Sequence, residues 1–346
     1  MLLLLLGSKL LLLQHLLYAL CGVGAVMTNT IIISAVLTHS YLRGKPVLQL
    51  ICSLAVMDYI EGWSTMTAGI YRTIVRLLGY QDEQFSALQC MICLPWSYLW
   101  RISDFGTAFM LFALSADRIL AVFRPLRYMA YGKTYSLTVI GLVYLCSIVF
   151  GSITAFYPMP GSNTTSMLCT THYISPITYQ ASKYLSSTVS GFSVLLYVPI
   201  SLKLWAHSSD MHSMGMNAQQ YQMSWTVGIS CFCTLFLDTL PRAIGVLTSG
   251  TIYSMEANPA HCESWMSHLF HLTKVNSMIN FILYWKRSDL IRDAIKDVIN
   301  DIRHFRLCCY EHRIKKISMP SHFVTTENQR LRPSSLRDLE EVITST

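Results

Sequence analysis

Apolar residues in this chain do not alternate with polar ones at the period of a half-buried strand. They gather in seven long blocks, at about 12–38, 47–70, 92–122, 136–157, 181–206, 222–248 and 265–285. Each approaches the roughly 20 helical residues needed to cross a hydrocarbon core about 30 Å thick. After Tyr284 the pattern changes. Leu290, Ile291, Ala294, Ile295, Val298, Ile299 and Ile302 recur at helical spacing, while Arg292, Asp293, Lys296, Asp297 and Asp301 fall on the other side. That is an amphipathic helix, with Ser288-Asp289 placed to cap its start. From about 314 onward the chain is polar and expected to be disordered. The pattern therefore predicts an all-α membrane protein, a seven-transmembrane helix bundle with an eighth, amphipathic helix. Residues 1–305 form the bundle domain and 306–346 a tail. The leucine-rich start has no basic leader and no convincing cleavage site, and it merges into the first span at Gln14-His15, so it reads as uncleaved helix.

Composition agrees: 52% of residues are hydrophobic and only 13% charged, against roughly 25% charged in soluble domains. The distribution of basic residues sets an orientation. Arg43, Lys45, Arg124, Arg127, Lys133, Lys286, Arg287 and Arg292 lie at one mouth. At the other, Arg72 and Arg76 are balanced by Asp82 and Glu83. The N-terminus is thus expected outside and the tail in the cytoplasm, as in a multi-pass plasma-membrane protein. The net charge of +7 is mostly this asymmetry, so no nucleic-acid partner is expected. Asn163-Thr164-Thr165 is a glycosylation acceptor pattern in a loop assigned outside. Cys90, Cys93, Cys169 and Cys262 lie on the same oxidising side.

Asp117-Arg118-Ile119 closes the third block and leads through Ala121-Val122 into Pro125-Leu126-Arg127-Tyr128. Asn29 sits in the first block, Leu54-Ala55-Val56-Met57-Asp58 in the second, and Asn276-Ser277-x-x-Asn280-x-x-x-Tyr284 in the seventh. From about residue 20 to 305 the chain resembles the rhodopsin-like (class A) G-protein-coupled receptors. Their patterns at these places are Asp-Arg-Tyr with Pro-Leu-x-Tyr, Leu-Ala-x-x-Asp, and Asn-Ser-x-x-Asn-Pro-x-x-Tyr. Ile119 replaces the tyrosine and Phe281 the proline. Within the family, the short third inner loop and the proline-free seventh motif look most like nematode serpentine chemoreceptors.

The resemblance implies roles. Arg118, paired with Asp117 at rest, would meet a heterotrimeric G protein, on a surface shared with Pro125 and Tyr284. Asp58, Asn29, Asn276, Ser277 and Asn280 would hold a sodium ion and rearrange on activation; a static hydrogen-bonded plug is the alternative. The family joins a cysteine at the mouth of the third helix to the second outer loop, which implies Cys93–Cys169, with Cys90 as competing partner. The eighth helix would lie on the inner leaflet, ending at Cys308-Cys309, as palmitate acceptors or as free thiols. Two family devices are absent. The glutamate expected about 20 residues before Pro241 is Tyr221, which predicts raised basal signalling, and the tryptophan expected two before Pro241 is Thr239.

Candidate ligand contacts in the outer half are Glu61, Trp96, Trp100, Asp104, Asp238, His271 and Lys274. Arg101 can satisfy Asp104, and Arg242 can satisfy Asp238 one turn away. Amine receptors of the family carry an aspartate where Trp100 stands, so a small amine is disfavoured. Lys274 occupies the position at which opsins bind retinal through a Schiff base, although the usual counterion place is Trp96. A buried Lys274–Glu61 salt bridge is the plainer reading. The chain is expected to be a receptor, not an enzyme, that binds an extracellular ligand, a chemosensory small molecule or a peptide, and activates a G protein. A retinal-binding photoreceptor is one alternative. A transporter or channel is the other, although no internal repeat supports it.

Overall fold

The computed structural model describes residues 2–156, 164–169, 176–206, 218–244, 259–301 and 303. Asn163, Cys308 and Cys309 lie outside them. Residues Met1–Ile299 form one compact unit. Its long helices are α1 (Leu2–Thr38), α2 (Pro46–Leu77), α3 (Trp96–Phe123), α4 (Lys133–Phe156) and α5 (Pro176–Ala206). Then come α6 (Ala218–Thr234, continuing through a π-turn, Leu235–Thr239, to residue 244) and α7 (Pro259–Arg287).

Among the described residues, five of the seven are long and apolar enough to cross a membrane by length and composition. The other two, α2 and α7, have 32 and 29 residues, which at about 1.5 Å per residue is ample. Both carry charge inside the bundle: Asp58, Glu61 and Arg72 on α2 and Lys274 on α7 are buried. Conversely, α4 turns Leu142, Leu145, Ile148 and Ile153 outward, an arrangement suited to lipid and not to water. In a membrane no solvent can satisfy a backbone group, so each crossing segment must be a closed hydrogen-bonded helix.

The helices pack in a ring, α1 on α2 and α7, α5 on α6, and α6 on α7, with α3 touching α2, α4, α5 and α6. The hydrophobic window of α3 is 72% buried, against 22% for α4, so α3 is the central post. Contact between α1 and α2 is closest, because glycines meet there. A Cβ added at Gly22 or Gly69 would overlap the backbone nitrogen of Met66 or Ala19. Such small-residue contacts hold membrane helices together by van der Waals packing. Gly69→Val is expected to cost about 1–3 kcal/mol through overpacking. Gly141→Val, where nothing lies within 4 Å, should be neutral. Melting temperatures of the purified variants check both.

One mouth of the bundle is closed by a two-stranded antiparallel pair, Gln84–Ser86 with Thr164–Ser166. Just beyond it, Cys169 is joined to Cys90 with Cα atoms 5.6 Å apart. This corrects the Cys93–Cys169 expectation; Cys93 is a free, exposed thiol. The count back from Arg118 assumed an unbroken helix. Pro95 breaks it, because the residue before a proline is pushed out of the helical region, and Leu94 sits at φ −118° and ψ 86°. Ala87–Cys93 therefore forms a separate short helix, which buries Ala87, Cys90 and Met91. Cys90→Ser and Cys169→Ser should each cost about 2–4 kcal/mol, and Cys93→Ser nothing. Thermal unfolding of the three variants distinguishes the pairings.

At the opposite mouth residues 289–301 are helical. The Ser288 hydroxyl accepts from the Ile291 amide at 3.4 Å, as its capping role requires. Ile291, Ala294 and Ile295 are fully buried in the same core as Leu48 and Leu50. Protein thus covers much of the apolar face of this eighth helix. His39, just after α1, reaches Asp297 at 3.3 Å.

Candidate functional site

Toward the disulfide mouth, charged side chains from five helices meet inside the bundle. Asp104 on α3 accepts from Lys183 on α5 and, at 2.7 Å, from Nη1 of Arg242 beyond the α6 π-turn. Arg242 Nε donates to Asp238 at 2.7 Å, and its Nη2 lies 4.0 Å from Glu61 on α2. Glu61 in turn pairs with Lys274 on α7. Three carboxylates and three cations form one connected chain, all buried except Lys183, which is partly exposed. Desolvation makes any unpaired member of such a group very costly, so the cluster holds only as a whole.

Aromatic plates carry further charge. The guanidinium of Arg72 and the ammonium of Lys274 each lie 5.6 Å from the Trp100 ring centre. Arg101 and Lys183 lie 5.6 and 5.5 Å from that of Tyr179. The Trp100 indole donates to Thr65 at 3.1 Å. Arg72 also donates to the carbonyls of Leu168 and Cys169, at 3.1 and 3.3 Å, and so fastens the disulfide loop to α2.

The cluster grips α6 where that helix is weakest. Pro241 has no N–H to give, and the preceding turn widens, with the Leu240 amide reaching back to the Leu235 carbonyl. Such π-turns and prolines are the usual seats of helix kinks. Asp238 and Arg242 stand on either side of Pro241, so their ion pair brackets the kink, while Asp104 ties the far side to α3.

Of the residues expected from sequence, the structure brings Glu61, Trp100, Asp104, Asp238 and Lys274 together. Trp96 is one turn away on α3, packed on Tyr71 at 4.9 Å. His271 is one turn before Lys274, against Tyr18 of α1 at 4.4 Å. The expected Arg101–Asp104 pairing is replaced by Lys183 and Arg242 as partners of Asp104, whereas Arg242–Asp238 and Lys274–Glu61 pair as anticipated. Lys183 was missed, yet a lone lysine within an apolar block demands a buried acid. Arg72 had been placed in a loop, because span two was ended at 70; α2 continues to Leu77.

Midway along the bundle, the Asp58 carboxylate accepts from Asn280 at 3.2 Å and from Thr107 at 3.5 Å. Ser230 of α6 donates to Asn280 at 2.6 Å, and Asn276 bonds Thr234 of α6 at 3.3 Å. This network joins α2, α3, α6 and α7. Two expected members turn to their own helices: Asn29 donates to the Ala25 carbonyl and Ser277 to that of Lys274. At Asp58 the carboxylate and the Thr107 hydroxyl are oxygens of the kind that suit a hard cation, while Asn280 presents its N–H to the carboxylate and its oxygen to Ser230. With Phe281 in the proline's place, α7 runs unbroken to Arg287.

At the basic mouth, Arg118 is fully buried. Its Nε donates to Asp117 at 3.1 Å, Nη2 pairs with the same carboxylate, and Nη2 also reaches the Tyr128 hydroxyl at 2.7 Å. Tyr128 donates to Asp117 at 3.1 Å, closing a triangle. Burial raises its phenol well above the ordinary range, against the opposing pull of Arg118, so the hydroxyl keeps its proton. Pro125 makes this possible: it is the first residue of the short helix Pro125–Met129, which swings Tyr128 back under α3. Tyr221 instead packs on the apolar core, and Tyr284 is buried there too. Arg118 Nη1 has no hydrogen-bond partner.

A family described as 7 transmembrane receptor (rhodopsin family) has a sequence model that matches residues 28–284. The chain belongs to this family. The match takes in α1 from Thr28 through to Tyr284 in α7, and so covers the ion cluster, the Asp58 network and the Arg118 triangle. Membership makes the protein a multi-pass membrane receptor with a seven-transmembrane bundle, and it sets aside the transporter and channel readings. The receptor departs from the family pattern at Ile119, Thr239 and Phe281. Tyr128 takes up the arginine, and the Asp238–Arg242 pair stands beside the kink.

Proposed function

We propose that the receptor binds its ligand at the ion cluster, between the disulfide mouth and the Asp58 network, and activates a heterotrimeric G protein through Arg118. In this reading the N-terminus and disulfide face outward from the plasma membrane, and the Arg118 mouth faces the cytoplasm. The observation that carries it is the Arg118 triangle. An always-charged side chain is held entirely inside the protein by Asp117 of its own helix end and Tyr128 of the short helix that follows, with one donor left over.

Activation is then a population shift: a ligand that prefers the rearranged cluster pulls the equilibrium toward it. The cluster brackets the α6 kink, so its rearrangement turns the lower half of α6, which carries Ser230 and Thr234, against the Asn280 and Asn276 amides. A resting-state sodium ion would be held by Asp58 and Thr107, supplying the positive charge that a buried carboxylate lacks. The retinal reading is less well supported, because the Lys274 amine is already committed to Glu61 within a six-membered charge group.

The test has two arms. Epitope tags at the two ends, probed with and without permeabilisation, should report an outer N-terminus and an inner C-terminus. The purified receptor in nanodiscs should accelerate nucleotide exchange on at least one class of heterotrimeric G protein. Tags on one side, or no exchange with any class, would overturn the proposal.

A further inference from the structure

The family's acidic latch has no counterpart on α6, which carries no acid from Ala218 to Thr234, yet the inner end of that helix is held. The Gln222 side-chain amide donates to the main-chain carbonyl of Arg287, the last residue of α7. That carbonyl is available for a reason local to the joint. In an unbroken helix it would accept from the amide four residues on, at Ile291. Here the Ser288 hydroxyl accepts that amide at 3.4 Å, while the Arg292 amide goes to the Ser288 carbonyl at 2.9 Å. The turn between the two helices thus leaves the Arg287 carbonyl to be satisfied from elsewhere, and a donor from α6 fills it.

What this bond joins is set by the packing on either side of it. The joint sits on the α1–α2 side of the bundle: Ile291, Ala294 and Ile295 are fully buried with Leu48 and Leu50 of α2, and Asp297 reaches His39 just after α1. The lower half of α6 hangs instead from the kink at Pro241. Nearer the kink, Ser230 and Thr234 bond the side-chain amides of Asn280 and Asn276. Gln222, Ser230 and Thr234 recur at multiples of four residues, on one ridge of α6 facing α7. Of the three, Gln222 lies farthest from Pro241, so a turn about the kink displaces it most. The apolar residues Met223, Val227 and Cys231 share the core with Leu114 of α3 and Ile200 of α5. Packing of that kind is nearly as good against lipid, which leaves the polar bonds to set where α6 rests.

We propose that Gln222 is the resting-state latch of this receptor, a positioning residue that ties the inner end of α6 to the frame of α1, α2 and the eighth helix. It stands beside Tyr221, where the family's glutamate is missing, but it grips a main-chain carbonyl and leaves Arg118 to Asp117 and Tyr128. This deepens the function proposed above and rests on it for the meaning of the inner mouth. Opening swings the Gln222 amide away from Arg287, and both partners pass to water, so the latch is worth about one net hydrogen bond. It biases the resting state without locking it. What the carbonyl requires is an N–H at that reach, so a longer side chain that donates can replace the amide and an apolar one cannot.

The experiment uses the full-length receptor in nanodiscs, with two readouts on each preparation. One is basal nucleotide exchange on a heterotrimeric G protein. The other needs no G protein: the rate at which N-ethylmaleimide alkylates Cys231, read by mass spectrometry. Cys231 is a buried free thiol on α6, 3.7 Å from the Ser115 hydroxyl of α3, so it reports the parting of these two helices. Gln222→Met keeps the length and removes the donor, and it should raise both rates per folded receptor about fivefold, the scale of one hydrogen bond. Gln222→Lys restores a donor and should return both to within about twofold of wild type. Melting temperatures are taken on each variant, because a bond that only stabilised the fold would lower them and leave alkylation per folded receptor unchanged. Wild-type alkylation in Gln222→Met, or Gln222→Lys as fast as Gln222→Met, would overturn the inference. Faster alkylation in Gln222→Met, with no exchange by any variant or by wild type, upholds the latch and sinks the coupling alone.

Discussion

Replacing Arg242 by alanine is expected to cost about 3–5 kcal/mol and to leave little folded receptor, because it strips a buried charge group of its hub. Arg242 touches Asp104 and Asp238 at 2.7 Å and Glu61 at 4.0 Å. Without it, Asp238 loses the only cation shown within ion-pair distance, while Asp104 keeps Lys183 and Glu61 keeps Lys274. Membrane burial leaves no water to take over. The penalty comes from the stranded carboxylate, so a second change should relieve it. Arg242→Ala combined with Asp238→Asn should recover a measurable part of the lost melting temperature, as expected of directly coupled neighbours. Arg242→Lys, which keeps the charge but not the three-way fork, should fall between. An Arg242→Ala receptor that melts with the wild type would show that the cluster does not hold the five helices.

The second large effect is expected at the other mouth. Asp117→Asn removes the carboxylate that holds Arg118 and should raise basal nucleotide exchange per folded receptor. If that pair biases the resting state by about 1.4 kcal/mol, the rise is about tenfold. Tyr128→Phe removes one hydrogen bond to the same arginine, worth about 1 kcal/mol, and should give a smaller rise. Tyr221→Phe should give none, because Tyr221 packs on apolar neighbours and Tyr128 supplies the hydroxyl at Arg118. A basal rate that stays flat in Asp117→Asn would mean the pair does not restrain the arginine.

Much of this was legible in the residues themselves. Seven apolar blocks gave seven helices, since hydrocarbon thickness leaves few other solutions. The polar residues inside those blocks marked the interior, because a charge facing lipid would be expelled. Local pairs such as Asp238–Arg242 followed from helical spacing. What stayed hidden was long-range. Nothing in the sequence near Asp104 says that its partners come from 79 and 138 positions away, on α5 and α6. Tyr128 was read as part of a motif, but its return under α3 depends on the turn that Pro125 starts. The disulfide was misassigned by three residues because one proline ended a helix that counting had continued. Helix lengths and periodicities are local properties, whereas a charge cluster assembled from five helices is a property of their packing.

The most direct test of the whole account is nucleotide exchange on a heterotrimeric G protein by purified receptor carrying Arg118→Ala, compared with wild type at equal folded concentration. The account predicts exchange by the wild type that falls to the receptor-free rate in the variant, with the melting temperature and the Cys90–Cys169 disulfide unchanged. Exchange by Arg118→Ala at the wild-type rate would contradict it.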